Sequence, residues 1–408
     1  MSKPKQAVIL CGGRGSRLMP HTKTTPKPMI LCSNKPFLWH LLNQLSDQGI
    51  SRFVLLTGYL GEQIKNYFRD GSYWGWEIQY SSGPVEWDTA KRIWESSELL
   101  DGVFLLLYSD NFVLFSLDKL SEKFRQSKKA LTLIVTSKIP GNISIDNSEN
   151  ILQYNNNRSS DYLNLVELGY MVIEKNRVLS YFDSSNNSFS NVLKDLVLNN
   201  EVSCIVHYGP YHSISDPRRW KLAEKYLMNN KILLIDRDGV INKKAPKGEY
   251  ISTWQDFKWI QETRDALKVL AKKGFKFIVI TNQAGVARGL INPFELDNIH
   301  NKMLNELYQD GVEVIDIYVC THHWNDGCSC RKPEAGMLYQ ASKDWLFRLD
   351  KTFFIGDDSR DCQAAFKGQC KSIFIGDKLD LKNLETEEMP AFIFNKLDDG
   401  IQAILDYY

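Results

Sequence analysis

The sequence has no apolar run long enough to cross a membrane. Residues 103–107 with Tyr108 form one of the longest, and the run at 275–280 is broken by Lys276, whereas a helical span takes about 20 apolar residues. The start, Met1-Ser-Lys-Pro-Lys-Gln, carries no extended apolar leader and no small-residue cleavage site. No membrane partner and a cytoplasmic location are therefore expected. Neither sign of charge dominates, with 50 Lys plus Arg against 49 Asp plus Glu. A nucleic-acid binder carries a basic surplus, so no nucleic-acid partner is expected. Residues 1–229 lean slightly basic and 230–408 slightly acidic, too weakly to draw a polyanion. Cysteine is sparse, eight in 408 residues, which excludes a disulfide framework and suits free thiols or a metal site. Repeats and low-complexity tracts are absent. With 43% hydrophobic and 24% charged residues, the composition excludes a disordered or fibrous chain.

What is present is an alternation of strand-like and helix-like segments. Strands are predicted over 6–10, 52–57, 103–108 and 131–136, with helices over 36–48 and 61–68 between them. Residues 142–160 and 183–200 are rich in Asn and Ser and read as loops or surface insertions. Asp216-Pro217 opens a helix reaching about residue 228, with Asp as cap and Pro in the first turn. The alternation then restarts, with strands over 231–235, 275–281, 314–319 and 352–355. The pattern predicts two α/β domains with largely parallel sheets, 1–229 and 230–408, each long enough to bury a core.

In the first half, Cys11-Gly12-Gly13-Arg14-Gly15-Ser16-Arg17-Leu18 follows the first strand. Glycines let a backbone approach a phosphate and aim N–H groups at it, and Arg17 adds a forked donor. Lys27 is a point charge on a backbone stiffened by Pro26 and Pro28. A glycine-rich turn alone serves equally as a tight strand-to-helix connection, and the spacing is neither the Rossmann nor the P-loop one. The whole string over 10–29, however, resembles the signature of sugar nucleotidylyltransferases. The resemblance implies attack by a sugar 1-phosphate on the α-phosphate of a nucleoside triphosphate, releasing pyrophosphate. Gly12, Gly13, Gly15 and Ser16 would hold the phosphates, and Arg17 and Lys27 would neutralise developing charge. Asp110, after Tyr108-Ser109, matches the position that holds Mg²⁺ in that family.

Three segments depart from it. The family's Gly-Thr-Ala/Gly-Gly stretch near the base reads Glu86-Trp87-Asp88-Thr89-Ala90-Lys91-Arg92, with two glycines missing. Its Asn-x-Gly against the sugar reads Glu167-Leu168-Gly169, leaving Glu167 to accept from sugar hydroxyls. Its Asp-Ile-Gly segment reads Ser213-Ile214-Ser215, so Ser213 stands where a second metal carboxylate is expected. Either Asp216 substitutes for it, or one carboxylate suffices, or the reaction is slow.

In the second half the first strand ends in Asp236-Arg237-Asp238-Gly239. Alternate residues of a strand face opposite ways, but a turn at Gly239 can bring both carboxylates to one crevice. An isolated Asp-x-Asp is also common on surfaces. Thr281-Asn282-Gln283, Arg331-Lys332-Pro333 and Gly356-Asp357-Asp358, with Asp361 beyond, follow in order. This set resembles the haloacid dehalogenase superfamily of phosphatases over nearly all of 231–380. The resemblance makes Asp236 the nucleophile and Asp238 the general acid and base. Thr281 and Lys332 would bind phosphoryl oxygens, with Asn282 and Gln283 beside the substrate. Mg²⁺ would sit on Asp236, the Asp238 carbonyl and Asp357. Asp358 and Asp361 would bind or simply orient the loop.

Cys320-Thr321-His322 and Cys328-Ser329-Cys330 offer three thiolates and an imidazole, a set suited to closed, structural Zn²⁺. This loop, with Arg331 meeting the distal end of the substrate, resembles the subgroup of heptose 1,7-bisphosphate and histidinol phosphatases. The two resemblances together imply a Rossmann-like nucleotidyltransferase domain followed by a haloacid dehalogenase-like Rossmannoid phosphatase domain. They suggest a bifunctional enzyme that dephosphorylates a heptose bisphosphate and joins the sugar 1-phosphate to a nucleotide, most readily GMP, for lipopolysaccharide or other surface polysaccharide. Another sugar or base (cytidylyl, uridylyl or thymidylyl), or a first half that only binds sugar nucleotide and regulates the phosphatase, also fits. A homo-oligomer is compatible with the sequence.

Overall fold

A computed structural model describes residues 3–158, 162–182, 188–228, 230–246 and 248–408. The chain divides into two compact units, Met1–Leu227 and Met228–Tyr408. Asn229, at the expected boundary, lies outside the described residues.

The first unit is built on the strand Gln6–Cys11, whose six residues are all buried. It lies between Arg52–Thr57 and Val103–Tyr108 and is parallel to both, with Glu77–Ser82 parallel beyond Arg52–Thr57. Strands covered on both faces have no reason to alternate apolar and polar residues, which explains their continuous apolar runs. The other side departs from the expected parallel pattern. Leu165–Glu174 runs antiparallel to both Val103–Tyr108 and Leu131–Ser137. Its register shifts between Glu167 and Met171, where Gly169 adopts φ +78° and the Tyr108 ring leaves no room for a Cβ.

The Asn- and Ser-rich segments are not simply loops. Residues 142–160 contain the strands Ile143–Ile145 and Ile151–Tyr154. Within 183–200, Phe189–Leu198 is a helix that buries Phe189, Val192, Leu193, Leu196 and Val197. These recur at helical spacing, so five apolar residues outweigh the loop-forming composition around them. Residues 159–161 and 183–187 lie outside the described residues.

The second unit carries a six-stranded, wholly parallel sheet in the order Val314–Cys320, Lys276–Asn282, Ile232–Ile235, Phe353–Gly356, Lys371–Ile375, Phe392–Phe394. The helices Gln261–Lys272, Pro293–Gln309, Gly336–Trp345 and Ser359–Lys367 connect and cover it. Asp236, Asn282, Cys320 and Asp357 therefore all come to the carboxyl ends of adjacent strands, where open α/β sheets place their ligands. Among the described residues no helix is long and apolar enough to cross a membrane.

Candidate active sites

The glycine-rich turn of the first unit lines a cavity of about 550 Å³ together with Arg17, Lys27, Trp87, Thr89, Arg92 and Asp110. Gly15 takes φ +63°, and a Cβ there would press on the Lys27 Cβ at 2.9 Å, so glycine is required for both conformation and clearance. The turn is fastened by Thr22, whose hydroxyl donates to the Gly15 carbonyl at 3.0 Å. Lys27 Nζ lies 2.6 Å from Asp110 Oδ2. Gly12, Gly13 and Ser16 line the same cavity.

Glu167 does not line that cavity. Burial pushes its carboxyl up to about 7, with Arg158 and the Gly169 N–H pulling down and Asp110 pushing up. Ser213 pairs with Asn111, next to Asp110, in a short antiparallel ladder, and its hydroxyl lies 3.1 Å from that of Ser215. Asp216 is occupied as a helix cap, accepting from the Arg219 N–H at 3.0 Å. A resident metal cage does not fit these residues: among the described residues no group of three potential ligands includes Asp110.

In the second unit Lys332 is the centre of a buried ion cluster. Its ammonium lies 2.9 Å from Asp236 Oδ1 and 2.7 Å from Asp361 Oδ1 and donates to the Ile280 carbonyl at 3.0 Å. Burial pushes Asp236 up to about 7; Lys332 opposes this and the Asp361 charge adds to it. Asp361 also accepts from the backbone N–H groups of Asp357 and Asp358 at 3.2 and 3.1 Å. The side chain of Asn282 grips the backbone of Lys332 in both directions, at 3.0 and 3.1 Å. Asp236, Asp238, Lys244, Thr281, Asn282, Lys332, Asp358, Arg360 and Asp361 line a cavity of about 100 Å³.

Asp238 is turned toward Arg237, which is fully buried and donates from Nη2 at 2.8 and 2.9 Å and from Nε at 3.1 Å. Asn242 and Gln283 donate to the same carboxylate at 2.9 and 2.7 Å. Burial would raise the Asp238 carboxyl, but Arg237 and these hydrogen bonds outweigh it and hold it below its ordinary value. His300 Nε2 lies 2.9 Å from Arg237 Nη1.

The ligand oxygens of Asp236, Asp357 and Asp361 lie within 4.8 Å of one another. Asp357 Oδ1 is buried with no hydrogen-bond partner, and burial raises its carboxyl to about 6 against the pull of Lys244. An orphaned carboxylate oxygen among acidic neighbours fits a hard divalent cation. Cys320, His322, Cys328 and Cys330 form the second group. Five of their ligand-atom separations run from 3.1 to 3.7 Å. A tetrahedron with Zn–S bonds of about 2.3 Å has edges of about 3.8 Å, so this donor set fits zinc.

A nucleotidyl transferase family model matches residues 6–151, and a polynucleotide kinase 3 phosphatase model matches residues 231–378. A D-glycero-alpha-D-manno-heptose-1,7-bisphosphate 7-phosphatase of Mycobacterium tuberculosis is 36% identical over 154 residues, which is 35% of this chain and 78% of that protein. Through its second unit the chain belongs to that phosphatase family. The histidine biosynthesis bifunctional protein HisB of Campylobacter jejuni is 34% identical over 165 residues, 40% of this chain. The match spans about half (47%) of HisB's own length. The first unit shares its fold with a putative glucose-1-phosphate thymidylyltransferase of Bacillus anthracis, at a TM-score of 0.50 and 18% identity over 54% of this chain and 93% of that one. A nucleotidyltransferase domain is thus followed by a haloacid dehalogenase-type phosphatase domain.

The phosphoryl cavity does not hold every expected residue. Gln283 is buried, with its amide on Asp238 and Thr281, and does not line the cavity; it is placed to position rather than to touch substrate. Arg331 does not line the cavity either, and its Nη1 is buried without a partner. Lys244, 2.7 Å from Asp357, and Arg360, paired with Asp358 at 2.7 Å, were not foreseen. Neither were His300 or Asn242, and Arg92 entered only as the end of the altered base segment. The Arg237 and Lys244 signals were visible only as cations near an acidic motif, which is too common a pattern to single out.

Proposed function

We propose that the chain is a bifunctional enzyme of nucleotide-activated heptose synthesis. The second unit would remove the C7 phosphate of D-glycero-D-manno-heptose 1,7-bisphosphate. The first would join the resulting sugar 1-phosphate to a nucleoside triphosphate, releasing pyrophosphate, with GTP the favoured donor. The observation that carries this reading is the pairing, in one chain, of the Asp236–Lys332–Asp361 cluster with a glycine-turn cavity lined by Arg17 and Lys27.

In the phosphatase reaction Asp236 attacks phosphorus as the C7–O–P bond to the sugar oxygen breaks. Asp238 gives its proton to that oxygen, then takes one from the water that opens the aspartyl-phosphate. The donors around Asp238 favour its carboxylate, so it has to gain a proton before the first step. An incoming phosphate dianion favours that by raising its pKa. Lys332 and Thr281 would hold phosphoryl oxygens. Asp236 and Asp357, with the Asp238 carbonyl, would bind Mg²⁺, which when present neutralises phosphoryl charge. Cys320, His322, Cys328 and Cys330 would bind structural zinc.

In the transfer reaction positioning and charge suffice. Arg17 and Lys27 would meet the phosphates, and Asp110 would share with the triphosphate any Mg²⁺ that the nucleotide brings. Incubation with Mg²⁺, heptose 1,7-bisphosphate and each ribonucleoside triphosphate, followed by mass spectrometry, tests both steps. GDP-heptose with inorganic phosphate is the expected product. Phosphate without any sugar nucleotide would favour the second reading, in which the first unit only binds sugar nucleotide, as its Ser213 suggests.

A further inference from the structure

The first unit buries a charge that the transfer chemistry above does not use. Arg92, on the helix Thr89–Glu95, is 5% exposed. Its Nη1 donates to the Thr57 carbonyl and its Nη2 to the Pro84 carbonyl, both at 2.7 Å. Both partners are neutral. The acidic side chains nearest in sequence are otherwise engaged: Glu95 pairs with Lys91, Asp88 caps the helix by accepting from the Thr89 N–H, and Glu86 pairs with Arg14 at 3.8 Å. Asp88 and Glu86 favour its charge only at a distance; a buried guanidinium that touches no carboxylate is costly, and two of its five donors are used. Bridging two carbonyls does not require a cation, so the retained charge points to an electron-rich ligand in the cavity that Arg92 lines.

The location separates Arg92 from the phosphate-handling cations. The guanidinium lies against Gly12, where any Cβ would overlap it. Lys27 instead packs against Gly15 and pairs with Asp110. Val85, Trp87 and Thr89, which precede Arg92 in the chain, line the same cavity, surfaces suited to the flat face of a base. A forked guanidinium matches two adjacent acceptors on one edge. Guanine offers such a pair, O6 and N7, and in an unpaired nucleotide cytosine offers another, O2 and N3, whereas adenine sets an amino donor beside its acceptors and uracil separates its two carbonyls by an N–H; of the two, guanine is the donor base of the transferase reading above.

We propose that Arg92 reads the base of the nucleoside triphosphate and selects guanine. This rests on the transferase reading of the first unit. The test is transfer to the sugar 1-phosphate from GTP, ATP, CTP and UTP, with 7-deaza-GTP and ITP as atomic probes. In the natural protein kcat/KM should fall about tenfold or more from GTP to 7-deaza-GTP, which lacks N7. ITP, which keeps O6 and N7, should stay within about threefold of GTP. In Arg92→Met, and equally in Arg92→Lys, the preference for GTP over the other three should shrink by about 10–100-fold. If all four triphosphates fall together, or if 7-deaza-GTP serves as well as GTP, the assignment is overturned. The two analogues need no variant, so a misfolded Arg92→Met does not spoil the test. Calorimetry separates the two ways of failing. Nucleotide binding without a preference for GDP over ADP overturns the role of Arg92 alone. Binding of no nucleotide overturns the transferase reading with it.

Discussion

Lys332 should be the most consequential single charge in the second unit. Its side chain is 3% exposed, and its two carboxylate partners are nearly as enclosed. Lys332→Met keeps most of the volume but leaves Asp236 and Asp361 without their common cation. Breaking a buried ion pair from one side costs about 3–5 kcal/mol, because the remaining charge is stranded. Asp361→Asn should cost less, since Lys332 keeps Asp236 and the Asn side-chain oxygen can still accept from the N–H groups of Asp357 and Asp358. The double variant should be destabilised by about 1–3 kcal/mol less than the sum of the two single variants, because the second change removes a charge the first had stranded. Amide hydrogen exchange of the full chain in metal-free buffer reads this locally. Peptides containing Ile232–Ile235 and Phe353–Gly356 report on the second unit, and peptides containing Gln6–Cys11 serve as the internal control. Additivity within about 0.5 kcal/mol would refute the view that mutual neutralisation holds this cluster together.

Asp236→Asn should abolish phosphate release from the bisphosphate and leave nucleotidyl transfer to a supplied sugar 1-phosphate intact, and Arg17→Ala should do the reverse; loss of both activities in either variant would contradict two independent sites. The folded-state pKa of Asp236 is raised from 3.8 to about 7, so between those values the native state holds a proton the unfolded chain has lost. Metal-free protein should therefore lose stability as pH rises from about 4 through about 7, and Mg²⁺ should stabilise more at pH 8 than at pH 5. Thermal melts with and without EDTA check this, and a larger Mg²⁺ effect at pH 5 would contradict it. Protein purified without chelators should carry about one zinc per chain, and elemental analysis of a Cys328→Ser variant should show less than half of that. Gly239 takes φ +99°, and a Cβ there would overlap the Asp357 carboxylate; Gly239→Ala should lower phosphatase kcat/KM at least 100-fold, and near-normal turnover would show that the turn can move aside.

The parts of the molecule legible in the sequence are those held by local chemistry. Strands buried on both faces announce themselves as unbroken apolar runs. The cap and proline at Asp216-Pro217 mark the start of the helix Pro217–Tyr226. The Asp236, Thr281 and Asp357 motifs read well because each sits at the carboxyl end of a parallel strand, so a short string carries its own position. What was illegible depends on long-range pairing. The antiparallel course of Leu165–Glu174 is set by its neighbours, and nothing within its own ten residues states a direction. The contact between Arg237 and His300 joins residues 63 apart in the chain. Gln283 was assigned to substrate because it follows Thr281, but which way an amide turns is decided by packing.

The thiol cluster and the catalytic lysine are neighbours along the chain. Cys320 ends the strand Val314–Cys320, Cys330 precedes Lys332 by two residues, and Asn282 grips the Lys332 backbone from the other side. The lysine is thus suspended between an amide clasp and a sulfur knot. Mild oxidation that links two of these thiols would slacken one end of that suspension while the sheet stays folded. Turnover should then fall under a mild oxidant together with the melting temperature, and both should return with a thiol reductant and zinc.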